Sequence, residues 1–402
     1  MTSPKPISVC IIVENLPVPL DKRVWKEALA LRDAGYRVSV ICPKGKTLHR
    51  RSYEVLERIE IYRHHSWEAS SVPGYILEYS VALTAEFLLT LRVYARTRFR
   101  ILQACNPPDT IFVIALLLRM FGVRFVFDQH DLGPELFEAK FGRRSLLSFL
   151  VRLLERCSFR LADICIATNE SFKDIAISRG GKALADIFVV RNCPDTASFC
   201  RSRALPTHEF GRSMLVTYVG FMGIQDGVDL LLRSIDHIVN HEGRQDTHFL
   251  LIGDGTVLSA LRTTVEEKRL GDYVTLTGQV SHEQVASYLS CSDVGVAPDP
   301  KNAMNDKSTM IKIFEYMAFS LPVVLFDLKE GRRIAGPAAL YATPNDPVDF
   351  ANQITKLLCS KELRHRMGEI GRQRINEHFN WEMEKRSLIE AYATALQPRI
   401  VS

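Results

Sequence analysis

The residues of this sequence best suited to chemistry lie in a short apolar stretch near position 310. Residues 306–318 predict a helix with Ser308 or Thr309 as its N-cap, on which Lys312 and Glu315 share one face because they are three residues apart. Their neighbours are mostly apolar, so we favour a binding role for this polar pair over a solvated surface.

Two glycine-containing turns could bring backbone amides close to a phosphate. Gly220 and Gly223 lie in a turn, 220–227, that follows one strand candidate and opens a helix, whereas Gly253 and Gly255 follow the next strand. Neither turn is a Walker loop or a dinucleotide fingerprint. An ordinary tight turn between strand and helix therefore remains the alternative for both.

A second group of polar residues follows strand candidates in the first half of the chain. His130 and Asp131 come directly after the strand 124–128, and Asp21 and Arg23 lie where a helix begins. The alternatives are a structural histidine for His130 and solvated charges at a helix N-terminus for Asp21 and Arg23.

The elements that must position these residues follow an alternating pattern. Apolar runs rich in β-branched residues alternate with amphipathic segments, which predicts βαβ units and parallel sheets. The predicted strands are 7–13, 37–42, 59–63, 101–105, 124–128, 164–168 and 187–191, then 215–219, 248–252, 274–277, 294–297, 322–326 and 339–341. The predicted helices are 22–34, 75–98, 110–121, 145–161 and 170–178, then 227–240, 257–269, 283–291, 308–319 and 348–359.

The restart of this pattern after a polar linker, 198–213, predicts two doubly wound α/β domains. We place the first at 1–200 and the second at 201–379, with a terminal helix, 380–402, that packs back on the first domain. In such folds ligands bind at the carboxyl ends of the strands, so the site is expected in a cleft where the two Rossmann-like domains face each other.

Composition narrows the class of protein. The 402 residues are 47% hydrophobic and 24% charged, which excludes a disordered chain, and the longest apolar run, 111–118, is far below the ~20 residues of a membrane span. The N-terminus lacks the cleavage site of a signal peptide. Nine scattered cysteines without a Cys-x-x-Cys pair argue for a reducing compartment and against zinc, so we expect a cytoplasmic protein.

The charge is distributed unevenly between the two halves. Residues 1–205 carry 30 Lys and Arg against 21 Asp and Glu, whereas residues 206–402 carry 21 against 25. Arg92, Arg96 and Arg100, and again Arg152, Arg156 and Arg160, are spaced four apart beside apolar segments. This spacing suits weak docking on an anionic membrane surface, and a solvated face over a packed helix is the alternative for each segment.

The stretch Glu315-Tyr-Met-Ala318, followed by Pro322-Val-Val324, resembles the donor-site signature of the family 4 retaining glycosyltransferases. It is most similar to the branch that builds bacterial O-antigen, capsule and exopolysaccharide. Further stretches fit that branch over nearly the whole chain, namely 21–28, 106–109, 128–135, 168–171 and 191–192.

The resemblance implies a GT-B fold and transfer of a sugar from a nucleoside-diphosphate sugar to a lipid-linked or oligosaccharide acceptor. It implies that Glu315 holds the ribose and that the amides of Ser308, Thr309 and Met310 hold the distal phosphate. His130, with Asp131, would contact the donor sugar, and Asp21 and Arg23 would line the acceptor side. The remaining donor-site residues would be Gly220, Gly223, Gln225, Asp226, Gly253, Gly255, Lys307 and Lys312.

The sequence also departs from the family pattern. Lys307 stands where the family has a glutamate, and the basic residues expected in the turn 220–227 are replaced by Phe221 and by Gln225-Asp226. The diphosphate would then be neutralised by Lys307, Lys312 or Arg23, or by helix dipoles.

No Asp-x-Asp motif follows a strand, so we expect no obligatory metal. We also expect no other cofactor and no nucleic-acid partner. Without an identifiable nucleophile, front-face displacement is the expected route. Two alternatives stay open, a nucleotide-sugar epimerase or hydrolase of the same fold and a non-catalytic subunit of a polysaccharide assembly complex.

Overall fold

The chain forms two compact units. The computed structural model describes residues 6–45, 48–65, 72–141, 146–194 and 210–398. The first unit comprises Met1–Arg191 with Glu384–Ser402, and the second comprises Asn192–Met383.

The first unit is built on an eight-stranded sheet of order β3-β4-β2-β1-β5-β6-β7-β8. Its strands are β1 (Ser8–Val13), β2 (Arg37–Pro43), β3 (Tyr53–Leu56), β4 (Ile59–His64), β5 (Ile101–Cys105), β6 (Arg124–Gln129), β7 (Ile164–Ala167) and β8 (Ile187–Val189). All pairs are parallel except β3 with β4. Strands β1, β5 and β7 are buried along their whole length, which is why they read as continuous apolar runs.

Helices connect and cover these strands. They are α1 (Lys22–Asp33), α2 (Val72–Thr97), α3 (Phe112–Arg119), α4 (Gly133–Phe141), α5 (Leu146–Leu161) and α6 (Glu170–Ser178). The last helix of the chain, α14 (Trp381–Ala395), belongs to this unit from Glu384 onward, and its Tyr392 hydroxyl donates a hydrogen bond to Gln103 of β5.

The second unit has a six-stranded parallel sheet of order β11-β10-β9-β12-β13-β14. Its strands are β9 (Met214–Val219), β10 (Thr247–Ile252), β11 (Val274–Leu276), β12 (Val294–Ala297), β13 (Val323–Phe326) and β14 (Ala339–Ala342). Its helices are α7 (Val228–Asp236), α8 (Leu258–Glu267), α9 (His282–Cys291), α10 (Ile311–Ala318), α11 (Lys329–Ala335), α12 (Pro347–Leu358) and α13 (Lys361–His378). The strand order reverses direction beside β9, so β9 and β12 flank the point where ligands bind in such sheets.

The predicted strands and helices are all present, with ends displaced by up to four residues. Four elements were not predicted, namely β3, α4, α11 and α13. One boundary was wrong at the site itself, because α10 begins at Ile311 rather than at Ser308. The terminal helix, predicted at 380–402, is an exception, because it already ends at Ala395. Most of the predicted linker, 198–213, lies outside the described residues, as do residues 399–402. Along the described ranges, we find no helix with the length and apolarity to cross a bilayer.

Candidate functional site

The two glycine turns of the second unit pack directly on each other. The Gly220 amide donates to the Ile252 carbonyl at 3.0 Å, and the Met222 amide donates to the Asp254 carbonyl at 3.0 Å. A Cβ atom on Gly253 would lie 1.8 Å from the Gly220 carbonyl oxygen, so no larger residue fits there. Glycine is therefore required by the contact between the turns, which the sequence pattern alone left open.

A cavity of roughly 620 Å³ opens beside these turns. It is lined by Gly220, Phe221, Asp254, Gly255, Thr256 and Gln279. Three of the glycines singled out in the sequence are thus brought together, since Gly220 and Gly255 line the cavity and Gly253 supports it. The cavity lies at the carboxyl ends of β9 and β10, where parallel sheets place their ligands.

Lys312 brings a buried positive charge to the same turn. Its Nζ lies 2.8 and 3.0 Å from the two carboxylate oxygens of Asp299 and 4.9 Å from the centre of the Tyr218 ring. Its Cε would be only 3.3 Å from a Cβ on Gly220. Burial alone would lower the pKa of Lys312, but the Asp299 carboxylate raises it, so the ammonium stays charged. Asp299 was not predicted as a site residue, although its Pro-Asp-Pro setting directly after β12 is a usable signal.

The start of α10 differs from the prediction. Met310, not Ser308 or Thr309, is the N-cap, and it makes no side-chain capping bond. The Ser308 hydroxyl and amide both donate to the Met304 carbonyl, because residues 304–308 form a turn of their own. The Ser308 amide is therefore engaged within the chain, and its role at a phosphate stays a prediction. Lys307 and Glu315 are half-buried.

Tyr316, the second residue of the donor-like signature, ties the site together. Its hydroxyl accepts a hydrogen bond from the Val219 amide at 2.9 Å and donates one to the Val296 carbonyl at 3.0 Å. These two bonds join the ends of β9 and β12 just before the Gly220 turn. Gly295 of β12 leaves room for the ring, since a Cβ there would lie 2.4 Å from it.

The rest of the turn 220–227 is held by its own polar groups. The Gly223 amide donates to the Asp226 carboxylate at 2.9 Å, and the Gln225 carbonyl accepts from the Asn305 side chain at 3.0 Å. Burial raises the pKa of Asp226, and the Lys312 charge opposes that shift. Gly223 and Asp226 thus shape the turn, while the Gln225 side chain is exposed.

The polar residues of the first unit form a buried charge network around Asp128. His130 Nε2 lies 2.7 Å from the Asp128 carboxylate, and the Arg23 guanidinium lies 2.9 Å from its other oxygen. Arg23 also contacts Glu27 at 3.1 Å and donates to the Val190 carbonyl at 2.8 Å.

The network sets the charge states of its members. Although burial would raise the pKa of Asp128, the Arg23 and His130 charges lower it well below its usual range. The Asp128 charge in turn raises the pKa of His130, so this imidazole is held in its charged form. Burial, reinforced by Asp128, raises the pKa of Glu27 to about 7.

This arrangement corrects the expectation for Arg23. With 6% of its side chain exposed and its donors directed to Asp128, Glu27 and a carbonyl, Arg23 is not free to neutralise a diphosphate. Its role is to hold Asp128, which was not predicted as a site residue. Arg23 lies in the first turn of α1 and Asp128 is the second-last residue of β6, so their pairing was not visible from spacing along the chain.

Asp21 and Asp131 lie beside this network. The Asn106 side-chain oxygen accepts from the amides of His130 at 2.7 Å and Asp131 at 3.2 Å, which fixes the loop after β6. Burial raises the pKa of Asp131, the His130 charge opposes this shift, and the Asp21 charge adds to it. Asp21 also caps α1, because its side chain accepts from the Val24 amide at 3.0 Å. Its position at the helix N-terminus is thus confirmed, whereas its acceptor-side role stays a prediction.

An exposed apolar surface accompanies the arginines of α5. Leu146, Phe149, Leu150 and Leu153 recur at helical spacing and are 44–84% exposed. Helix α3 packs against α5, and on it or just after its end Leu116, Leu117, Met120 and Phe121 are 45–85% exposed. All six arginines of the two predicted stripes are exposed, and Arg152 pairs with Glu138 at 2.5 Å.

Comparison with known sequences identifies both halves of the chain. Residues 22–198 match the family model described as Glycosyltransferase Family 4, and residues 213–360 match the one described as Glycosyl transferases group 1. An α-D-kanosaminyltransferase of Streptomyces kanamyceticus is 29% identical over 157 residues, which are 39% of this chain and 39% of that protein. The chain spans about two fifths of the length of the curated relatives that it matches first.

Solved structures show the fold over nearly the whole chain. Sucrose-phosphate synthase from Thermosynechococcus elongatus superposes with a TM-score of 0.76 at 18% identity, covering 96% of this chain and 98% of that one. The Anabaena protein HepE in complex with UDP-glucose gives 0.70 at 14% identity, with 96% and 100% covered. The GT-B fold class predicted from the sequence is thereby confirmed.

Proposed function

Because this chain belongs to the family 4 glycosyltransferases, we propose that it moves a sugar from a nucleoside-diphosphate sugar to a lipid-linked or oligosaccharide acceptor, with retention of configuration, in cell-surface polysaccharide synthesis. The observation that carries the donor side is the pair of packed glycine turns with the Lys312 ammonium beside them. The structural neighbour HepE, which holds UDP-glucose, supports a nucleotide-sugar donor.

The diphosphate binds at the Gly220 turn in this proposal. Glycine leaves no side chain between the diphosphate and the backbone there, and Lys312 supplies the cation that the turn itself lacks. Two of the three Lys312 N–H donors go to Asp299, so a phosphate oxygen can take the third. Thr309 and Met310, at the start of α10, contribute amides and the positive end of the helix dipole.

Glu315 holds the ribose hydroxyls. Replacing it by alanine is expected to weaken binding of the nucleoside diphosphate by about 2–3 kcal/mol, as for a charge-assisted hydrogen bond lost from a closed site. Isothermal titration with UDP and GDP measures this change. Glu267→Ala, which removes an exposed carboxylate of α8, is the matched control and should leave affinity unchanged. Wild-type affinity in Glu315→Ala would rule out the ribose contact.

Substitution of Lys307 tests which part of the donor, the diphosphate or the sugar, this residue contacts. If its ammonium neutralises the diphosphate, Lys307→Ala weakens every nucleoside diphosphate, with or without a sugar. If instead it pairs with a carboxylate of a uronic acid donor, the variant binds bare nucleotide normally and loses turnover with the true donor alone. Normal affinity and normal turnover together would remove Lys307 from the site.

The acceptor side is assigned to the first unit. His130, held charged by Asp128, donates to the donor sugar, while Asp131 and Asp21 orient the attacking hydroxyl. In the front-face route the C1–O bond to the diphosphate breaks, the acceptor oxygen bonds to C1 from the same side, and a phosphate oxygen takes the hydroxyl proton. The protein stabilises the leaving charge and aligns the hydroxyl.

An assay with and without acceptor separates this reaction from its alternatives. A transferase releases nucleoside diphosphate quickly only when a lipid-linked or glycan acceptor is present. Equal release without acceptor would indicate a hydrolase, and conversion of the donor sugar without release would indicate an epimerase. A donor that binds and is never consumed would indicate a non-catalytic subunit.

Docking on an anionic membrane would place the protein near a lipid-linked acceptor. The exposed apolar residues of α3 and α5, flanked by Arg156 and Arg160, support this part of the proposal. Apolar side chains would enter the interface while the guanidinium groups meet lipid phosphates. The protein would then act in the cytoplasm as a peripheral protein of the membrane's inner face.

A further inference from the structure

Three buried side chains of the first unit converge at a point that the proposed reaction does not use. Glu14 directly follows β1, His64 ends β4, and Glu86 lies in the middle of α2. One ligand-type atom from each lies within 4.8 Å of the others. His64 Nε2 is 3.8 Å from a Glu14 oxygen and 3.9 Å from a Glu86 oxygen.

These three atoms are buried polar groups without hydrogen-bond partners. Glu14 Oε2, His64 Nε2 and Glu86 Oε1 each lack one among the residues that the structure describes. The three residues are 8%, 5% and 1% exposed. A buried polar atom without a partner costs about 1–3 kcal/mol, so three in one place call for a common explanation.

The hydrogen bond of the His64 ring indicates what kind of partner its Nε2 atom can take. Its Nδ1 lies 3.1 Å from the His65 carbonyl oxygen, which can only accept, so Nδ1 carries a proton. In the neutral ring Nε2 then presents its lone pair towards the two carboxylates. A histidine held in this way, with its other nitrogen bonded to a carbonyl, is the usual arrangement of a metal ligand.

The charge balance points in the same direction. The side chains of Glu14 and Glu86 interact through a hydrogen bond, so without an ion the two carboxyl groups share a proton. The neighbouring Arg63 contacts Glu54 at 2.5 Å from the opposite face of β4, since adjacent strand residues alternate faces. Two buried carboxyl groups beside an imidazole therefore require either added protons or a divalent cation.

We propose that Glu14, His64 and Glu86 form a site for a divalent transition metal such as Zn²⁺ or Mn²⁺, which ties the end of β1 to β4 and α2. One nitrogen and two oxygens suit these ions. Ligand bonds of about 2.1 Å place tetrahedral ligand atoms roughly 3.4 Å apart. The two distances from His64 Nε2, 3.8 and 3.9 Å, therefore need contract by only a few tenths of an ångström. A fourth position remains for water or substrate.

The site would steady the segment that leads to Asp21 and Arg23. Glu14 is the first residue after β1, and α1 begins eight residues later at Lys22. Metal binding thus fixes the start of the loop that carries the acceptor-side residues. Its role is to position that loop, and no step of sugar transfer is assigned to the ion.

The test uses the full-length protein freed of metal by a chelator, loaded with one equivalent of Zn²⁺, Mn²⁺ or Co²⁺ and passed through gel filtration. Elemental analysis should find about one ion per chain in the wild type, and at least about tenfold weaker binding in Glu86→Gln and His64→Gln. Glu57→Gln, which removes an exposed carboxylate of the same unit, should bind as the wild type does. Mg²⁺, which prefers all-oxygen ligands, should not compete.

Two further measurements keep the result interpretable. Circular dichroism of the metal-free variants shows whether they fold, and a folded variant without metal supports the site. The Co²⁺ spectrum should lack thiolate charge-transfer bands, because all three ligands are nitrogen or oxygen. A wild type that retains no ion would overturn the proposal and leave a proton-sharing cluster. The proposal would also be overturned if both variants retained the ion, or if the Co²⁺ spectrum showed thiolate bands. Either result would place the ion elsewhere, such as at Cys105, Asp128 and His130.

Discussion

The two units share a doubly wound sheet but use the carboxyl ends of their strands differently. In the second unit the site is made of backbone, because glycines let two turns pack together and leave a cavity beside them. In the first unit the equivalent strand ends carry side chains that bind one another, with Arg23, Glu27 and His130 around Asp128. A site that holds an anion gains from close approach to the backbone, whereas one that presents a hydroxyl needs fixed side chains.

The outer surfaces differ as well. Among the described residues, twenty large apolar side chains are exposed in the first unit and five in the second. Three of those five, Phe221, Ile224 and Ile311, belong to the turn 220–227 or to the start of α10. Exposed apolar surface in the second unit is thus mostly part of its site, whereas in the first unit it extends over α2, α3 and α5.

The largest expected effect on the difference between the two units comes from removing the Asp128 carboxylate. Asp128→Ala leaves Arg23 buried without its carboxylate partner, and such a loss costs about 3–5 kcal/mol. Urea unfolding followed by circular dichroism measures the change. Asp128→Asn, which keeps the shape and some hydrogen bonds, should cost less. A loss below about 1 kcal/mol would mean that Arg23 reaches water, and the network would then not be a closed one.

The first unit should also respond to pH through its buried carboxyls. Burial, with the Glu155 charge, raises the pKa of Asp109 to about 8, so the folded state binds a proton that the unfolded state releases near pH 4. Stability from this group is complete below pH 4 and is lost as the pH rises through about 8. The shift of His130 acts in the same direction, whereas the lowered pKa of Asp128 matters only in acid.

We expect the free energy of unfolding to fall by on the order of a few kcal/mol between pH 5 and pH 8.5. Asp109→Asn, which cannot titrate, should flatten this dependence. Hydrogen exchange resolved by peptide would locate the effect in the first unit. An equal pH dependence in wild type and variant would assign it to other groups.

The sequence predicted the fold better than it predicted the site, for a physical reason. Strands such as β1 and β9 are marked by local apolar runs, and the glycine turns by their position after strands. The partners Asp128 and Asp299 are brought to Arg23 and Lys312 by tertiary packing, which no local pattern reveals. The strand β3 was missed because it is a short antiparallel edge strand that is at most half-buried.

A smaller effect is expected from Tyr316, whose hydroxyl joins two strands of the second unit. Tyr316→Phe removes the hydroxyl that the Val219 amide donates to and leaves that amide without its acceptor. We expect a loss of about 1–3 kcal/mol in stability and a comparable or smaller loss in nucleotide affinity, because the Gly220 turn begins one residue later. Tyr288→Phe, at a half-buried tyrosine of α9, serves as the control. Unchanged stability in Tyr316→Phe would show that the turn is held by the glycine contacts alone.

The smallest effect per residue concerns the exposed surface of the first unit. If α5 docks on lipid, each of Arg156 and Arg160 contributes about 1 kcal/mol to binding of anionic vesicles, and this share weakens with salt. Arg156→Gln/Arg160→Gln should therefore reduce co-sedimentation at low salt, whereas Arg262→Gln/Arg269→Gln in the second unit should not. Phe149→Ser removes apolar burial instead, so its loss should persist at high salt. Binding that ignores anionic lipid, salt and all these variants would make the arginines a solvated face. The excess of exposed apolar residues in the first unit would then need another partner.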